Sequence, residues 1–172
     1  MLDDFSAERR PEQSVVAVVA YDAVENAITR TAAAYWIALK RNRALPARAQ
    51  LEPRDMRAIL SNVVLLRVID DGRDYQYRIA GEAFVWAYSA QFRGLFLSDV
   101  EAANPEHGER MRALYKHVRQ TAAPIGLQGW IGRNLPQARF VYHETVLLPF
   151  GDDGARVDHI LIASFFVPNP SV

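Results

Sequence analysis

The sequence contains no cysteine. That absence removes disulfides, thiolate nucleophiles, thiolate metal sites and any flavin-thiol adduct together, and it suits a reducing compartment. A charge bias is also missing. Twenty Lys and Arg are balanced by 20 Asp and Glu, so the composition carries no basic footprint for nucleic acid. Long apolar runs are absent too. VVAVVAY, Val15 to Tyr21, falls far short of the roughly 20 residues of a membrane span. Asp3, Asp4 and Glu8 before it are the wrong flank for a secretory signal. The expectation is a cytoplasmic protein with neither nucleic acid nor membrane as partner. No Ser-His-Asp order, glycine-rich phosphate loop or histidine cluster occurs at useful spacing. His143-Glu144 begins like a zinc-protease string, but Leu147 stands where the second ligand is needed, so no metal site is expected.

What is present suits one domain. A chain of 172 residues, half of them hydrophobic, can bury most of the surface its unfolded form exposes. Residues 1–13 are polar and read as a flexible arm, and 14–172 as the domain. From about 22 to 43 the spacing is helical, with Val24, Ile28, Thr31, Tyr35 and Leu39 on one stripe and Asp22 placed to cap. Lys40, Arg41 and Arg43 follow at the negative end of the macrodipole. After LPARAQ, Pro53 opens a short helix to about Leu60.

VVLLRVI, Val63 to Ile69, is apolar on both faces and reads as a strand. The turn Asp70-Asp71-Gly72 returns it through Tyr75 to Ala80. Short helices follow, broken at Gly81, Gly94, Ser98 and Asn104-Pro105. The last carries Met111, Leu114, Tyr115 and Val118 at helical spacing. Three strands then close the chain: IGLQGWIGR, ARFVYHETVLLPF and RVDHILIASFFV, the last two joined by a turn at Gly151 to Gly154. Gly126, Gly129 and Gly132 read as bulges or close approaches. The run Val15 to Tyr21 reads either as an added edge strand or as a swapped one. The fold class is α+β, a five-stranded antiparallel sheet with an N-terminal capping helix and short helices between strands two and three.

Tyr35-Trp36 and Leu39 in the first helix, Pro46 and Arg48 after it, Pro53, Tyr77-Arg78 and Gly81, and Arg93-Gly94 form a string with this order of elements. The string resembles a stand-alone bacterial subfamily of PAS domains over about Tyr35 to Gly94, and the last strands match in pattern, chiefly at ETVLLP. The resemblance implies a sensory or interaction module in signal transduction with no chemistry of its own. It implies a homodimer, a signalling protein as partner and a small-molecule ligand in a cavity. The cofactor stays unknown. No cysteine can form a flavin adduct, and a haem ligand would have to be His117, which reads better as a surface histidine beside basic neighbours.

Six residues form the candidate ligand site. Alternation places Tyr75, Tyr77 and Ile79 on one face and Gln76, Arg78 and Ala80 on the other. Arg78 then sits at the mouth of the helical patch, to hold a ligand carboxylate or to pair with Glu82 or Glu144. Glu144 shares a face with Phe140, Tyr142, Val146 and Leu148, where a carboxylate needs a partner. Arg78 or Arg48 would answer it, or it lines a pocket with Tyr142. Trp86, Tyr88 and Trp130 either enclose an apolar ligand or fill the core. Arg48 reads as a lock between its loop and the sheet, and Tyr35 and Trp36 as a seal between the first helix and the sheet or a second subunit. Two other readings remain open. One is a cone-shaped α+β enzyme using Glu144 and Tyr142; the other is a structural dimerisation domain without ligand.

Overall fold

The strand VVLLRVI is apolar on both faces, and the structure covers both. The computed structural model describes residues 11–136 and 138–170. Its elements are β1 (Val15–Val19), α1 (Ala27–Lys40), β2 (Val63–Ile69), β3 (Asp74–Ala80), α2 (Glu82–Tyr88), α3 (Leu97–Ala103), α4 (Pro105–Thr121), β4 (Ile125–Trp130), β5 (Phe140–Phe150) and β6 (His159–Pro168). They form one antiparallel sheet in the order β1-β4-β5-β6-β2-β3. Helix α1 and the 3-10 turns pack one face through Trp36, Met56, Leu65, Val146 and Leu148. Helices α2, α3 and α4 form a lid over the other through Leu66, Tyr77, Phe84, Leu97, Tyr115 and Ile162. The expected α+β class and the helices between the hairpin and the last three strands are present.

Among the described residues the sheet has six strands rather than five. VVAVV joins as an edge beside β4, Val15 opposite Trp130 and Val19 opposite Gly126. Gly129 makes this approach geometrically open, since a Cβ there would lie 2.1 Å from the Val15 carbonyl oxygen. Upstream of β1, the Pro11 and Glu12 carbonyls accept from the amides of Arg133 and Asn134 at 2.9 and 3.1 Å. Residues 1–10 of the expected arm lie outside the described residues.

Helix α1 is shorter than the expected 22–43. Asn26, not Asp22, caps it, its side chain accepting from the Ile28 amide at 2.9 Å. The buried face is Thr29, Ala32, Ala33 and Trp36, with Ile28, Tyr35 and Leu39 flanking it. Two alanines at the centre let the helix approach the sheet closely, so the stripe of large residues marks the edges of the contact. The helix expected from Pro53 to Leu60 is a 3-10 turn, Pro53–Met56, followed by a second at Leu60–Asn62.

Two bulges shift faces. Leu65 pairs with Ile79 and Leu66 with Tyr77, which leaves Arg78 as the extra residue. Ile79 therefore turns out to solvent, 46% exposed, while Tyr75 and Tyr77 stay buried. A second irregularity between Phe140 and Tyr142 sends Phe140 to the lid side, away from the face of Glu144. The lid is tied down at its far end by Arg112. Its guanidinium grips both oxygens of Glu101 at 2.5 and 2.7 Å, reaches Asp74 at 3.4 Å and donates to the Arg73 carbonyl at 2.9 Å.

Candidate functional site

Alternation along β5 points His143, Thr145 and Leu147 at the lid and Glu144, Val146 and Leu148 at α1. Above them, Tyr88 ends α2 and His107 lies in the first turn of α4, whose cap Asn104 accepts from the His107 amide at 3.2 Å. These elements do not close completely. A cavity of about 60 Å³ remains, walled by Phe84, Phe92, Leu127, Leu147 and Ile162, with Tyr88, His107 and His143 at its polar side. A cleft of about 350 Å³ shares Tyr88, His107, Met111, Leu114, Leu127 and His143 with it. That cleft runs out beneath α4 and β1, to Arg110, Ala113, Val16 and Val18.

The polar groups form two short chains. Nδ1 of His143 lies 3.0 Å from the Thr145 hydroxyl, which lies 2.6 Å from that of Ser164, its register partner on β6. The hydroxyls of Tyr77 and Tyr115 meet at 3.2 Å. Among the described residues, nothing in the chain bonds Nε2 of His143, the ring nitrogens of His107 or the Tyr88 hydroxyl. The His107 ring instead packs 5.4 Å from that of Tyr88. Burial, then the neighbouring His107, lowers His143 to about 4. Burial, then the Arg110 charge, lowers His107 to about 4. Burial, then Tyr77, raises Tyr88. Near neutral pH the cavity therefore offers uncharged imidazoles and a phenol, which suits hydrogen bonding in an apolar chamber.

Of the six residues singled out from sequence, Tyr88 lines the cavity. Arg78 is exposed on β3, with Nη1 3.3 Å from Gln76 Oε1. Trp86 is at the surface of α2. Trp130 and Tyr142 pack edge to face at 5.6 Å on the α1 side of the sheet, with Glu144 opposite Gln128 between them and α1. The partner expected for Glu144 was an arginine, Arg78 or Arg48. The structure corrects this: Oε1 accepts from the Asn26 amide at 2.7 Å and from the Thr29 hydroxyl, and Oε2 from the Glu25 amide at 3.1 Å. The carboxylate thus neutralises the positive end of α1, a role that the helix dipole favours. Both of its oxygens are engaged there, on the side of the sheet away from the cavity.

Most of the residues that carried the resemblance, Arg78 excepted, are braces. Trp36 donates its indole N–H to the Pro149 carbonyl at 2.7 Å, and the Tyr35 hydroxyl accepts from the Glu52 amide at 3.0 Å. Pro46 accepts from the Gly151 amide at 3.0 Å, and the Arg48 amide donates to Asp152 at 3.0 Å, which fastens the loop after α1 to the last hairpin. Pro53 opens its 3-10 turn. The Gly81 amide donates to the Val63 carbonyl at 2.8 Å, and Gly94, at φ +89°, donates to the Tyr77 carbonyl at 2.7 Å. His117 is exposed on α4. Sequence reasoning missed His107, Thr145 and Ser164 as wall residues and placed His143 only as facing away from Glu144. Alternation already set His143 and Thr145 side by side; the register that brings Ser164 opposite Thr145 was the missing part.

A family model described as PAS domain matches residues 24–162, most of the chain. No curated protein and no solved structure matches it. Among the described residues no helix is long and apolar enough to cross a membrane.

Proposed function

We propose, from the premise that this chain belongs to the PAS domain family, that it is a non-catalytic sensory and interaction module reading a small ligand between lid and sheet. The observation that carries the reading is the cavity itself. Its walls are apolar, yet Nε2 of His143, the His107 ring and the Tyr88 hydroxyl face a space in which the described chain offers them no partner. A packed core would have replaced or paired such groups.

Output follows from where the adjoining cleft runs. Val16 and Val18 of β1 and Ala113 and Leu114 of α4 form its outer walls, so occupancy bears on the edge strand. Val15 and Val18 are 63% and 62% exposed there, and a twin subunit or a signalling protein docks on this edge and on α1. A ligand shifts that surface only by binding one lid packing better than the other. Residues 14–172 act as one unit in this scheme.

Native mass spectrometry of freshly purified protein tests the reading. The expected spectrum holds a dimer that carries extra mass, released on denaturation. An unliganded monomer from several hosts, with no thermal shift across a library of small apolar compounds, sinks it.

A further inference from the structure

We propose that the ligand is an uncharged, mainly apolar molecule carrying a hydrogen-bond acceptor, in the simplest case a carbonyl oxygen, which takes the Nε2 proton of His143. The inference deepens the cavity reading and rests on it. The hydrogens on the Ser164–Thr145–His143 chain carry it. The buried hydroxyl of Ser164 has one hydrogen-bond neighbour among the described residues, the Thr145 hydroxyl, and Thr145 has one more, Nδ1 of His143. The chain can run in two directions. If Nδ1 carried the proton, it would donate to Thr145, Thr145 would donate to Ser164, and the hydrogen left over would sit on Ser164, only 1% exposed at the cavity wall, with no acceptor among the described residues.

Run the other way, the one hydrogen left over sits instead on the more accessible His143, 8% exposed. Ser164 donates to Thr145, Thr145 donates to Nδ1, and the ring proton then resides on Nε2. Second, the atom that this direction turns into a donor is the one that faces the cavity, and the described chain supplies it no acceptor. The Tyr88 hydroxyl, on the same lining, adds another donor with no hydrogen-bond partner among the described residues. Two donors on the lining of one cavity call for a ligand that carries an acceptor.

Charge decides the class. Among the described residues, no Lys, Arg, Asp or Glu lines the inner cavity. Arg110 lines only the outer cleft and pairs with Glu106 at 3.3 Å. An anion or a cation would enter this chamber without a counter-charge, which burial penalises heavily. A neutral carbonyl compound carries the acceptor without that penalty, and its apolar body extends from the cavity of about 60 Å³ past Leu127, Met111 and Leu114 into the adjoining cleft of about 350 Å³.

Three probes of matched size test this: acetophenone, α-methylstyrene, in which a methylene replaces the carbonyl oxygen, and benzoate. Binding is followed by NMR titration of the whole chain near neutral pH, with ¹⁵N-labelled histidine reporting the ring tautomer. Expected is the Nε2–H form of His143 in the free protein and acetophenone bound about tenfold tighter than α-methylstyrene, with benzoate weakest. In Thr145→Val, which loses the donor to Nδ1, that preference shrinks while α-methylstyrene affinity holds. Equal affinity for the two neutral probes, an Nδ1–H tautomer, or benzoate binding best overturns the ligand class and leaves the cavity reading standing. Failure of all three probes to shift the signals of Leu127, His143 and Ile162 overturns both.

Discussion

Acidification should destabilise this protein well above the range in which its carboxylates titrate. His107 and His143 are both held neutral by burial, each lowered from about 6.5 to about 4. Above the unfolded value neither state binds the proton and stability is unaffected. Below it the unfolded chain takes up protons that the folded chain refuses, so stability falls with pH until about 4, where the folded form also protonates. At 1.36 kcal/mol per unit, each histidine costs about 2 kcal/mol at pH 5, and the pair about 4. That is a large share of the ~5–15 kcal/mol that holds a typical domain together.

The assay is urea denaturation at about pH 8 and pH 5, with His107→Gln and His143→Gln measured beside the parent chain. Each single variant should remove about half of the pH difference, and the double variant nearly all of it. Two results would refute the reasoning: unfolding free energies that agree at the two pH values, or a pH difference that persists in the double variant.

Three further outcomes follow. Glu144→Ala should cost about 2–3 kcal/mol in urea, because the Glu25 and Asn26 amides lose their acceptor and the Thr29 hydroxyl is left with the Asn26 carbonyl alone, whereas Arg78→Ala should change stability by less than about 0.5 kcal/mol; similar losses in both would restore an arginine partner to Glu144. Gly129→Ala should lift β1 off the sheet, read as fast hydrogen exchange at Val15 to Val19 with the β5–β6 amides still protected; unchanged protection of β1 would mean that the strand tolerates a Cβ there. Trp36→Phe should lower stability by about 1–3 kcal/mol by leaving the Pro149 carbonyl without its buried donor, visible as an earlier urea midpoint at constant slope.

The sequence by itself determined the elements and the faces of most of them. Period-2 and period-3.6 patterns do not depend on distant contacts, so β2, the β2–β3 hairpin, the broken helices and the last three strands were all legible from local order. The tertiary structure decided whatever depends on register. A single extra residue at Arg78 moves Ile79 to solvent, and another near Val141 moves Phe140 to the lid, because alternation carries no marker of where it skips. The same holds for the acid and the cavity. Glu144 was recognisable as a buried carboxylate in need of a partner, but its partners are two backbone amides just before a helix and a hydroxyl in that helix's first turn, all more than a hundred residues earlier, and no charge pattern announces them. Side-chain direction was readable for His143 and Thr145; the space beside them exists only because α2 and α4 stop short of the sheet, and that distance is set by packing across the whole lid.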